Sequence, residues 1–391
     1  MHPTRPQRAK ARQRGAALLV MLVIVVMGIA AALVGSLSTT ALKSARQETT
    51  SAALAQAKEA LLGRAVSDDN MPGSLPCPDT NDDGSSELLS GNNCPSYIGR
   101  LPWRTLNLAD LRDGSGERLW YALSPAFRDD NSAQPLNSNT KGALLVYSAD
   151  GVTPQTQAGY SAVAVIFSPG SPLGSQTRST VAQQNSAANY LDIANSRNNA
   201  SASGPFIAGT KSDNFNDQLL FITTRNLMPL IEQRVAGEVK RALANYYTVN
   251  GYYPWADTVL AASDYDSNVG YNRGWLPNNA LPVNWAGTYR PPQWFFDNQW
   301  YTLIYYSVAR DYTQNPPFNC LTCIDSTLRV DGVSGVRALF FMPGTPIGTL
   351  VRTVTNLSHY LEDSENNDDD DDRYVTPASQ AADRDRLYRL P

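Results

Sequence analysis

One uncharged run near the N-terminus constrains this chain more than any other feature. Ala16 to Leu42 contains no Asp, Glu, Lys or Arg. Arg5, Arg8, Lys10, Arg12 and Arg14 crowd the tail before it, and Gly15 separates tail from run. The heart of the run is AALLVMLVIVVMGIAAALVGS, 21 residues. At the helical rise this reaches ~32 Å, enough to cross the hydrocarbon core of a bilayer. The sequence therefore predicts a transmembrane helix over 16–37 that continues into a stalk. Its basic flank, residues 1–15, would stay in the cytoplasm and the rest of the chain would face outward. The same run also fits a cleaved secretory signal peptide, with a cut in GSLSTTA, or a plain uncut anchor.

The 391 residues leave length for two domains of ordinary size beyond that run. The formal net charge is -4. Every basic cluster lies in the N-terminal tail, so nothing predicts a nucleic-acid partner. Four cysteines stand at positions 77, 94, 320 and 323. An even count in an outward-facing chain predicts two disulfides, and nearness pairs Cys77 with Cys94 and Cys320 with Cys323. Two other connectivities, a four-cysteine zinc site and a redox CxxC at 320–323 remain alternatives.

The outward part repeats itself. PGSPLGSQTR at 169–178 matches PGTPIGTLVR at 343–352, and AVAVIF at 162–167 matches VRALFF at 336–341. Tyr190-Leu191-Asp192 matches Tyr360-Leu361-Glu362, and Trp120-Tyr121 with Leu123 matches Trp300-Tyr301 with Leu303. Gly73 and Pro76 match Gly251 and Pro254, and Lys58-Glu59-Ala60-Leu61 matches Lys240-Arg241-Ala242-Leu243. All keep the same order at nearly constant separation, which points to a duplicated domain. The expected units are 38–228 and 229–391.

Each unit opens with a helix. The first is the continuation of the N-terminal run. The second is expected from Pro229 to Asn250, where Ile231, Val235, Val239, Leu243 and Tyr246 form one apolar stripe and Gly251 supplies the stop. Strand-like runs follow at 142–148, 160–168 and 217–224, then at 300–309, 326–330 and 335–342. Helix first and strands afterwards predicts α+β, with an antiparallel sheet on each helix.

A basic tail, a glycine and an uncharged helix together resemble the leader of type IV pilins and of type II secretion pseudopilins. ANYYTVNGYYP at 244–254 is similar to the Tyr-rich helix end and Asn-Gly turn of pseudopilins. The resemblance implies cutting by a prepilin peptidase between Gly15 and Ala16, methylation of the new N-terminus, and assembly with other pilins or pseudopilins through the N-terminal helix. Major pilins carry a glutamate five residues into the mature chain; here that place is Val20. This departure and the large tandem head imply a minor or tip subunit, single-pass in the bacterial inner membrane with periplasmic heads, or carried into a pilus or pseudopilus. A membrane-anchored periplasmic binding module that never assembles is the alternative.

Asp79, Asn81, Asp83, Ser85 and Glu87 alternate around Gly84 like the start of a calcium loop, though Ser90 stands where an EF-hand has glutamate. Calcium is the expected cofactor there. A weaker analogue runs from Asp264 to Gly270, and Asp368 to Asp372 form an acidic block. Trp255, Trp275, Trp285, Trp294 and Trp300 with neighbouring tyrosines read as the core of a small domain, or as a stacking surface. The only histidines are His2 and His359, and no hydrolase, zinc-protease or phosphate-loop motif occurs. No enzyme activity is expected.

Overall fold

A computed structural model describes residues 14–130, 134–257, 271–277, 285–313, 326–353, 356–368, 371–378, 381 and 384–391. In the first helix, side chains are described at 21, 22, 25–27 and from 40 onward. The leader up to Gln13, the 264–270 analogue, Cys320 and Cys323 lie outside the described residues.

The chain is α+β. Helix α1 runs Arg14–Ser67. Strands β1 (Ile98–Arg100), β2 (Trp120–Leu123), β3 (Ala162–Ser168) and β4 (Gln218–Thr223) follow as an antiparallel meander in that order. Helix α2, Thr224–Asn250, starts directly from β4. Strands β5 (Arg273–Trp275), β6 (Tyr305–Val308), β7 (Ala338–Met342) and β8 (Arg386–Arg389) form a second antiparallel meander with the same order.

The two sheets agree in register as well as order. Trp120, Tyr121, Ala122 and Leu123 face Phe167, Ile166, Val165 and Ala164. Tyr305, Tyr306, Ser307 and Val308 face Phe341, Phe340, Leu339 and Ala338. Parallel bridges tie Leu75 to Arg128 and Tyr253 to Thr313, and antiparallel bridges tie Asp79 to Arg100 and Asp257 to Trp275. The tryptophan match drawn from sequence is displaced here. Trp300–Leu303 is a 3-10 turn, and the strand that answers Trp120–Leu123 is Tyr305–Val308.

The expected transmembrane helix is corrected. Among the described residues no helix is long and apolar enough to cross a membrane. The single-pass inner-membrane placement falls with it. The helix itself is long, but its described part beyond Thr40 is two-sided. Ala53, Leu54, Ala57, Leu61, Leu62 and Ala65 are buried, while Lys43, Arg46, Glu48 and Glu59 are exposed. An apolar stripe opposite a charged face suits a helix laid on a sheet. Each large stripe residue contributes ~1.5–3 kcal/mol by burial in protein.

Alternation along the strands covers both faces of the first sheet. Tyr121, Leu123, Ala164, Ile166 and Ile222 pack with α1 and α2. Trp120, Ala122, Val165 and Phe167 pack beneath Leu144, Val146, Tyr190, Leu191 and Phe206. The first of these clusters is continuous with the core of the second sheet, where all five expected tryptophans are buried. Helix α2 begins a turn and a half before the expected Pro229, because Asn226 Oδ1 accepts the Thr223 N–H at 3.0 Å and caps the start. It ends at Gly251, φ 79°, whose N–H donates to the Tyr247 carbonyl at 2.7 Å.

Candidate functional site

The upstream part of α1 presents apolar side chains to solvent. Met21, Leu22, Val25, Val26 and Met27 are each more than half exposed; Met21 reaches 72%. At 100° per residue these positions spread over most of the helix circumference. Gly15 and Ala16, the expected processing pair, lie in the opening turn of the same helix. One helix is thus buried on a stripe at its downstream end and uncovered, with apolar side chains, upstream.

The expected calcium residues sit in a loop closed by the Cys77–Cys94 disulfide. Their oxygens are turned onto the loop's own backbone. Asp79 Oδ1 accepts from the N–H of Asn81 (3.0 Å) and Asp82 (2.7 Å), and its Oδ2 accepts from Gly84 (2.7 Å). Asn81 Oδ1 accepts from Asp83, and Asp83 Oδ1 from Ser85. Glu87 Oε1 accepts from both the N–H and the hydroxyl of Thr80. Burial nonetheless pushes the Asp79 carboxyl above its usual range, against those three N–H groups. Beside it Asp82, absent from the expected set, pairs with Arg100 at 2.9 Å and Arg118 at 2.7 Å. Among the described residues, no group of three or more His, Cys, Asp or Glu side chains is gathered closely enough to hold a metal ion.

The repeated sequence motifs meet in space, once in each half. In the first, Arg178 lies 3.9 Å from the ring centroid of Tyr190 and its Nε donates to the Asn189 carbonyl at 2.9 Å. In the second, Arg352 lies 5.3 Å from the ring of Tyr360 and its Nε donates to the His359 carbonyl at 2.9 Å. Two residues past each tyrosine is an acid, Asp192 or Glu362, and each faces a second buried acid. Asp217 Oδ2 accepts the Asp192 N–H at 2.7 Å, and Asp192 Oδ2 accepts the Asn216 N–H at 2.7 Å. Glu362 Oε2 accepts the Asp385 N–H at 3.0 Å. Burial, then the neighbouring acid, pushes both Asp217 and Asp385 well above the carboxylate range. Each of two adjacent carboxyls in a buried setting disfavours the other's charge. Asp217 and Asp385 escaped the sequence reading. The signal was present as Asp-Gln-Leu at 217–219 and Asp-Arg-Leu at 385–387, each opening the last strand of its sheet.

A further buried acid joins the halves. Glu232, on α2, is 0% exposed. Its Oε1 accepts the Ser138 hydroxyl and its Oε2 accepts Arg386 Nη1 at 2.9 Å. Burial pushes its carboxyl up to about 7, although Ser138, Arg386 and Arg352 all oppose that shift. Hydrogen bonds cross the surrounding seam. Asn298 Oδ1 accepts the Leu136 N–H at 2.9 Å, Asn298 O accepts Asn137 Nδ2 at 2.8 Å, and Arg352 Nη1 donates to Asn139 Oδ1 at 3.0 Å. The Tyr160 hydroxyl accepts the Gly348 N–H at 2.8 Å. Comparison with known families, curated proteins and solved structures finds no match to this chain.

Proposed function

We propose that this chain is a pilin-like assembly subunit, of the minor or tip kind, that docks through the upstream part of α1 against similar helices of neighbouring subunits. The observation that carries this reading is the exposure of Met21, Leu22, Val25, Val26 and Met27 on a helix whose other end is buried in the heads. Apolar side chains exposed around a helix find cover in a bundle of like helices. The two heads are duplicates, each a helix followed by a four-stranded meander, and the shared core and polar seam make them one block. Cutting between Gly15 and Ala16 by a prepilin peptidase releases the docking helix from its basic tail. Val20 stands where major pilins place the glutamate that neutralises a neighbour's N-terminal amine. A subunit without that acid, and with so large a head, suits the end of a fibre better than its repeat.

Cysteine cross-linking tests the reading. A Val25→Cys variant, expressed in cells that make the fibre together with a pilin-type subunit carrying a cysteine in its own N-terminal helix, is expected to be joined to that subunit by a bismaleimide. Mass spectrometry of the same material is expected to find the mature chain starting at Ala16. A chain that keeps Met1 and forms no such adduct refutes the assignment.

A further inference from the structure

We propose that the groove between α1 and the first head binds an acidic peptide segment. The groove has a volume of about 680 Å³, within the range of built ligand sites. One wall is α1, with Lys43 and Arg46; the other is the head, with Asp113, Lys211 and Asn216. The walls meet where the loop at Gly114 presses on the helix. A Cβ at Gly114 would come within 2.2 Å of the Arg46 carbonyl oxygen. The Gly114 N–H donates to Thr50 Oγ1 at 3.0 Å, and Gln47 bridges to Gln218 at 2.6 Å.

Unpaired charge points to a ligand. Lys43, Arg46 and Lys211 are exposed and, among the described residues, none has a carboxylate partner. The one acid in the lining, Asp113, is already used: it accepts from the N–H of Ser115, Glu117 and Gly170 and from the Ser168 hydroxyl.

What the groove lacks is therefore anions for its three cations. An acidic peptide supplies them as carboxylates spaced along one chain. A polyhydroxylated acid fits less well. Thr50 donates to the Arg46 carbonyl, Ser168 to Asp113, Ser171 to Ser115 and Gln47 to Gln218, so these polar groups are already engaged, and no aromatic ring lines the groove. The inference stands apart from the assembly reading, since it concerns the head and neck of a single chain.

Fluorescence polarisation on the full-length chain tests it, with a labelled alternating Glu-Gly peptide and a Gln-Gly peptide as uncharged control. The acidic peptide is expected to bind, and each of Lys43→Gln, Arg46→Gln and Lys211→Gln to weaken it about threefold to fivefold. The triple variant is expected to lose more than tenfold, while Lys240→Gln, Arg310→Gln and Arg373→Gln together leave affinity unchanged. All six positions are exposed, so the fold is kept. Equal loss in the two triple variants, equal binding of the Gln-Gly peptide, or tighter binding of polygalacturonate than of peptide overturns the proposal.

Discussion

Glu232→Gln is the substitution whose consequence is worked most directly from the structure. The wild-type carboxyl is fully buried and titrates at about 7, against 4.5 for an ordinary glutamate. Between those two values the folded chain holds a proton that the unfolded chain has released. The stability this represents is complete below pH 4.5 and is lost as pH rises through 7. At about 1.4 kcal/mol per unit of pKa difference, the loss is roughly 3 kcal/mol. Glutamine fills the same volume and does not titrate. Urea unfolding at intervals from pH 4 to pH 8 measures the effect. The stability of wild type relative to Glu232→Gln is expected to fall by roughly 3 kcal/mol across that range, with most of the change between pH 4.5 and 7. Using the difference between two chains cancels the other buried acids, Asp217 and Asp385 among them. Parallel stability curves would refute the argument, because they would mean that the carboxyl exchanges its proton as freely in the fold as in water.

Two further outcomes follow from the first head. Replacing Cys77 and Cys94 with serine opens a loop of sequence separation 17 and is expected to lower stability by ~3 kcal/mol; a melting curve unchanged by the replacement refutes this. Gly99→Ala places a Cβ 2.4 Å from the Asp79 carbonyl oxygen. Backbone cannot yield as a flexible side chain can, so a loss of ~1–3 kcal/mol is expected, read by chemical denaturation, and a neutral result would show that the Asp79 loop shifts freely.

Much of the fold was legible along the chain. The stripe Ile231, Val235, Val239 and Leu243 and the stop at Gly251 located α2, because helix periodicity and a left-handed cap are local properties. The apolar run at 162–168 located β3 because it is buried on both faces. Strands β1, β2, β5 and β8 were not read. Each is three or four residues long, too short for alternation to show, and their pairing is non-local. The same non-locality explains Trp300, whose neighbours look like those of Trp120 but whose backbone turns. The calcium-like spacing at 79–87 was legible too. Its carboxylates also accept from backbone N–H groups of the same loop, contacts that spacing alone does not reveal.

By itself the sequence determined a continuous N-terminal helix, the helix-then-strand order within each half, and the near-constant offset of repeated motifs, since these depend on neighbours in the chain. Tertiary structure decided which apolar residues of the first helix are buried in protein and that no described helix suits a bilayer. It also decided that Asp192 meets Asp217, that Glu362 meets Asp385, and that Glu232 is sealed between two heads. Burial and the close approach of like charges depend on segments far apart in the chain, and those are what shift a carboxyl.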